Sequence, residues 1–165
     1  MASTKQRNLD DLFYDTLKDI YYPERKFLKT LPKMSLAATD EKLNSAFEKH
    51  REQTEEHVER LQQCFEILSK RGRGKTCDAL EGIIAEGEGI IEEFSDSPAL
   101  DAGLISSAVE HCEITRYGTL KHWAETLGHQ DVAKLLEQTL QEKGQTDKDL
   151  TKLAESSANF RAEAA

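Results

Sequence analysis

Four glutamates, Glu24, Glu110, Glu113 and Glu142, fall on the apolar stripes of three helical segments, and His50 and His57 fall on the stripe of a fourth. A carboxylate carried into a bundle core costs several kcal/mol unless a positive charge cancels it. Two divalent transition-metal ions would supply that charge, and imidazole nitrogens would complete a site suited to iron or manganese. Glu110 and Glu113 are three residues apart and share a helix face with Tyr117. On the second segment His50, Gln53 and His57 repeat at helical spacing. The chemistry implied is Fe(II) oxidation by oxygen or peroxide, with carboxylates stabilising the ferric products.

The elements that must position these residues are all helical. Asn8, followed by Asp10 and Asp11, marks a helix start. The first helix, 8–33, has the stripe Leu9, Phe13, Leu17, Ile20, Glu24, Phe27 and Leu31, with a bend expected at Pro23 and an end near Pro32. A second helix covers 40–70, with Leu43, Phe47, His50, Gln53 or Thr54, His57, Leu61, Cys64 and Leu68 inward, and stops before Arg71-Gly72-Arg73-Gly74. Residues 77–94 form a weaker helix, because three glycines cost it about 1 kcal/mol each against alanine. Ser97-Pro98 opens a long helix, 98–127, which Gly128 terminates. The last helix, 131–157, turns Val132, Leu135, Leu136, Thr139, Glu142, Thr146, Leu150 and Leu153 inward. No segment reads as strand. The fold class is therefore all-α: an up-down four-helix bundle in which a long crossover, carrying an extra short helix, joins the second helix to the third. That is ferritin-like topology, and it brings the glutamates and histidines to one middle layer.

At 165 residues the chain makes a single domain, 1–165. A net charge of -9 argues against nucleic acid and anionic membranes as partners. No apolar run approaches the roughly 20 residues of a membrane span, and the N-terminus has no apolar signal core, so a cytoplasmic protein is expected. Cys64, Cys77 and Cys112 lack metal-type spacing and are expected as reduced thiols, with Cys77 the most exposed. His111, His122 and His129 are expected at the surface. Glu52, Glu55, Glu56 and Glu59 are expected to form a solvated face with Lys49, Arg51 and Arg60.

Several stretches carry a more specific likeness. They are Asp11-Leu-Phe-Tyr-Asp, Asp19-Ile-Tyr-Tyr-Pro-Glu24-Arg-Lys, Phe47 to Leu61, Glu81-Gly-Ile-Ile-Ala-Glu, Val109-Glu110-His-Cys-Glu113-Ile-Thr-Arg-Tyr117-Gly-Thr-Leu120, and Thr139 to Asp147. From about Leu9 to Leu153 the chain resembles the YciE/YciF family of bacterial ferritin-like (rubrerythrin-like) stress proteins. The resemblance implies a homodimer with a dinuclear metal centre of iron or manganese. It implies Glu24 as the first-helix ligand, Glu110 and Glu113 as the third-helix pair, Glu142 as the fourth-helix carboxylate, and His50, Gln53 or His57 from the second. Two positions depart from the family pattern. Gln53 stands where relatives often carry a carboxylate, and Glu142-Lys143 stands where they carry an acidic pair. Gln53 and Lys143 favour a second reading: a metal-free helical stress or interaction protein whose polar layer fixes the bundle register. Residues 77–94 could then serve a dimeric partner-binding module.

Overall fold

The computed structural model describes residues 6–164. Helix α1, Leu9–Ala37, begins on a reciprocal cap in which the Asp11 N–H donates to the Asn8 side chain (3.0 Å) and the Asn8 N–H donates to the Asp11 carboxylate (3.1 Å). It runs through Pro23 and Pro32 without a break and ends four residues beyond the expected limit of 33. Helix α2 spans Glu41–Ile67, capped by Asp40. It stops three residues earlier than expected. Ser69 adopts φ 51°, and the Lys70 and Ser69 N–H groups close onto the carbonyls of Phe65 and Glu66. This is the left-handed C-terminal motif usually given to glycine, so the stop precedes the glycine pair that marked it in the sequence.

The crossover contains α3, Asp78–Phe94, and α4, Leu100–Ser106. The Lys75 N–H donates to the Lys18 carbonyl, and Lys26 pairs with Glu81 and Lys33 with Glu88, each across 55 residues. A constant separation means that α3 runs parallel to α1, carrying the chain back along the bundle. Gly87 and Gly103 allow this close fit: a Cβ on Gly87 would lie 3.1 Å from Ser107 Oγ, and one on Gly103 2.8 Å from an Ile90 methyl carbon. Helix α5 is Glu110–Thr126. The expected helix 98–127 is thus broken at residues 107–109, where the Ser106 and Ser107 hydroxyls donate to the carbonyls of Gly103 and Leu104 and offer the backbone an alternative to a continuous helix. Gly128, at φ 82°, closes α5 as its position suggests, with the His129 N–H reaching the Ala124 carbonyl at 2.8 Å. Helix α6, Gln130–Leu153, continues through one wide turn, Ala154–Ala158, into α7, Asn159–Glu163.

Helices α1, α2, α5 and α6 form the bundle, with α1 against α2 and α5, and α6 against α2 and α5. The short α1–α2 and α5–α6 connections make those pairs antiparallel, and the returning crossover makes α2 and α5 parallel. Among the described residues there is no strand, and no helix is long and apolar enough to cross a membrane. The α1 stripe lies inward as read, from Phe13 through Glu24 to Leu31. Cys77 is buried and Cys112 exposed, the reverse of expectation, because Cys77 begins α3 against the bundle while Cys112 sits on the outer face of α5.

Candidate functional site

Halfway along the bundle the apolar core gives way to a polar layer. Glu24 from α1, His57 from α2, Glu113 and Tyr117 from α5 and Lys143 from α6 converge there, each with at most 1% of its surface exposed. Tyr117 donates its hydroxyl to Glu24 Oε1 at 2.7 Å. Lys143 Nζ lies 2.5 Å from Glu113 Oε2 and 3.3 Å from Glu24 Oε1, so a lysine ammonium stands between the two deepest carboxylates. His57 presents Nδ1 to Glu24 Oε1 (3.6 Å) and Nε2 to Glu142 Oε2 (2.9 Å).

One turn along α5 from Glu113, the buried Glu110 meets His50, with Nδ1 3.2 Å from Oε1. The pair borders a cavity of about 20 Å³ whose other walls include Phe27, Leu31, Phe47 and Ile84. His50 Nε2 and both Glu110 oxygens lack hydrogen-bond partners. Toward solvent, Arg60 grips Glu142 with both guanidinium nitrogens (2.7 and 2.9 Å) and also donates to Thr139 (3.2 Å) and Glu56 (2.8 Å). Bidentate Arg–carboxylate pairing of this kind fixes geometry as well as charge.

The electrostatics follow from burial and neighbours. Burial alone would raise Glu24, but the Lys143 charge, His57 and the Tyr117 hydroxyl outweigh it and hold the carboxyl at about 2, down from 4.5. Burial pushes Glu113 well above 4.5, and the Glu24 charge adds to that, with Lys143 pulling the other way. Glu110 is also raised, chiefly by burial. Burial works to lower Lys143, yet Glu113, Glu24 and Glu110 together keep it above its ordinary value. His50 falls well below 6.5 through burial and the Lys143 charge, which leaves a neutral ring. The centre therefore balances one ionised carboxylate, Glu24, with one ammonium, Lys143, and drives its other carboxyls toward the neutral form.

Of the residues singled out in the sequence, Glu24, Glu110, Glu113, His50 and His57 do enter this layer. Glu142 sits at its rim, with 23% of its side chain exposed. Gln53 is half-buried, and its side-chain oxygen accepts from Thr146 at 3.3 Å, while Thr54 takes the inward position. The sequence predicts Arg60 on a solvated face and Glu142 inward; in the fold Arg60 is buried and Lys143 occupies the α6 core position. The signal was available: Lys143 stands seven residues from both Leu136 and Leu150, which keeps it on their stripe.

A dinuclear metal centre fits this arrangement poorly. Among the described residues no three His, Cys, Asp or Glu side chains come together in a way that could hold an ion. A cation already separates Glu24 from Glu113, Arg60 engages both Glu142 oxygens, and Gln53 is a neutral side chain bonded elsewhere.

The residues that converge here lie inside one matched domain, since positions 8–163 match a family described as a domain of unknown function, DUF892. The chain belongs to this family. Protein YciF of Escherichia coli (strain K12) is 40% identical to it over 160 residues, covering 95% of this chain and 96% of that protein. The crystal structure of the E. coli stress protein YciF superposes with a TM-score of 0.88 at 39% identity, covering 93% of this chain and 99% of that one. YcfI of Rhodopseudomonas palustris, described as a candidate structural protein, gives 0.86 at 38% identity over 92% of this chain and 98% of its own. A Xanthomonas campestris protein at 21% identity and TM-score 0.70 shares the fold. The likeness to the YciF family read from the sequence thus holds across the whole DUF892 domain.

Proposed function

We propose that this DUF892 chain is a metal-independent stress-response protein of the cytoplasm, in which Lys143 and Arg60 supply the positive charge that metal ions supply in dinuclear bundle sites. The observation that carries this reading is the Lys143 ammonium, 2.5 Å from Glu113 and 3.3 Å from Glu24. A sealed polar layer of this kind excludes helix registers that would strand its charges, so it specifies one packing of the bundle. The output would be a surface for protein contacts rather than an oxidation. Homodimerisation, expected from the family resemblance, belongs to the same proposal, and the exposed Leu36 (86%) and Phe160 (66%) are apolar side chains such contacts could cover. The stress-protein description of E. coli YciF supports the physiological setting.

The competing reading, two iron or manganese ions, draws on the unpartnered oxygens of Glu110 and Glu113 and the free ring nitrogens of His50 and His57. Metal analysis of protein from iron- and manganese-supplemented cultures separates the two. Substoichiometric metal, with a thermal midpoint indifferent to chelator, is the expected result. One or two tightly held ions per chain, lost in Glu113→Ala, would overturn the proposal.

A further inference from the structure

We propose that a second copy of this chain docks on the outer face shared by α1 and α2, with α1 of each protomer lying over α2 of the other. The inference rests on the homodimer reading above and names its contact face. On α1, Arg25, Lys29 and Leu36 repeat at four- and seven-residue steps and are all exposed, Leu36 at 86%. On α2, Glu52, Glu59 and Glu66 repeat every seven residues and are exposed as well. The two columns are neighbours. The Arg25 guanidinium lies 5.6 Å from the centre of the Tyr21 ring, and the Tyr21 hydroxyl accepts from Gln62 of α2 at 3.1 Å. Gln62 stands three residues from Glu59 and four from Glu66, so the acidic column follows the edge of α2 nearest α1. The ion pairs around both columns run elsewhere: Lys26 to Glu81, Lys33 to Glu88, Arg51 to Glu55 and Arg60 to Glu56. Among the described residues, two cations and three carboxylates are thus left side by side on one surface without opposite charges of their own.

Two contacts fix the levels along the helices. One is Gln62 to Tyr21, and the other is Asn44, whose side chain donates to the Ser35 carbonyl at 2.9 Å. Because α1 and α2 are antiparallel, Arg25 stands near the level of Glu59, and Lys29 near that of Glu52. A closed dimer uses the same patch on both subunits, so the patch must complement itself under a two-fold rotation. An axis running along the helices, within the plane of contact, meets this condition. It sets Arg25 and Lys29 over the partner's Glu59 and Glu52, and the reverse pairs form on the other side of the axis. An axis across the helices would lay the acidic column on its own copy, and like charges across an interface are repelled. Leu36, at the end of the basic column, gains the cover that a single chain does not give it. The same acidic column decides against a polyanion as the occupant, since a nucleic acid drawn to Arg25 and Lys29 would meet three carboxylates beside them.

Sedimentation velocity on the full-length chain tests this face. Wild type should sediment as a dimer that loosens as salt is raised. Arg25→Glu with Lys29→Glu, and separately Glu52→Lys with Glu59→Lys, should each weaken self-association about 100-fold or more, because like charges then meet twice per dimer. Mixing these two double variants in equal amounts should restore the dimer, since each carries the charges that the other lacks. That recovery would also show both to be folded. A dimer that persists in either double variant, or a mixture that stays monomeric, overturns the proposed face while homodimerisation itself stands. A wild-type dimer indifferent to ionic strength overturns the face whether or not the variants fold. A monomeric wild type removes homodimerisation and the face together. Metal content is counted independently of sedimentation, so a failure of the metal-free reading shows separately.

Discussion

Asp101 and Glu113 are both fully enclosed carboxylates, and the fold treats them in opposite ways. Asp101, in α4, accepts from the Thr39 N–H (2.8 Å), the Thr39 hydroxyl (2.6 Å), the Asp40 N–H (3.1 Å) and Arg161 (2.9 Å). Its donors are mostly backbone and hydroxyl groups of the α1–α2 turn, fixed by the chain path. Glu113 has a single lysine and no hydrogen bond of good geometry. A buried polar network with every member satisfied rigidifies its surroundings, while a half-satisfied one stores unfavourable free energy. The Asp101 clasp therefore behaves as architecture, tying the crossover and the C-terminal helix to the α1–α2 turn. The Glu113 centre instead is held by charge, and depends on the one lysine beside it.

Breaking the centre should produce the larger effect. Lys143→Met leaves Glu24 without its main counter-charge and should cost about 3–5 kcal/mol at neutral pH, measured by urea unfolding. Adding Glu24→Gln to that variant should recover much of the loss; no recovery would mean that the lysine acts through packing alone. Acid titration sharpens the contrast next. Glu24 is depressed from 4.5 to about 2, so its contribution is present above pH 4.5 and disappears as pH falls toward 2, about 3 kcal/mol in all. Glu113 and Glu110 are raised, so their contribution has the opposite sign: it is complete below 4.5 and lost as pH climbs through their elevated values. The stability gap between wild type and Glu24→Gln should accordingly close between pH 4.5 and 2, and a gap independent of pH would show Glu24 to be neutral in the fold.

At the clasp, Asp101→Ala strands the Thr39 and Asp40 N–H groups and should cost about 1.5–3 kcal/mol in the same urea assay. Arg161→Ala should cost less than about 1 kcal/mol, because Arg161 is 43% exposed and the backbone donors remain. Equal losses for these two variants would make the arginine, rather than the turn, the source of the clasp.

The bundle could be read from the sequence because apolar spacing and end signals agree over long helices, as in α1 from Asn8 onward. The inward glutamates were legible for the same reason. Other parts depend on information outside any one helix. Residues 107–109 break a helix whose periodicity continues, since the break reflects serine hydroxyls and the close approach of Gly87. Arg60 looks solvated among its glutamate neighbours, and only α6 reveals the carboxylate it binds. Lys143 gives two opposed signals, because its type argues for the surface while its heptad spacing argues for the core. The partners that reconcile the two, Glu24 and Glu113, lie on different helices.

The crossover is attached to the bundle by buried side chains, Leu80, Ile84, Leu100 and Leu104, and by charge pairs at its outer face. Helix α3 forms one wall of the His50–Glu110 cavity through Ile83, Ile84 and Gly87, but Lys26–Glu81 and Lys33–Glu88 clip it to α1 through side chains that water reaches. Such contacts fade as ionic strength rises, while the bundle packing beneath them does not. Raised ionic strength thus weakens the two outer clips, while the buried Leu80 and Ile84 keep the wall seated on the bundle.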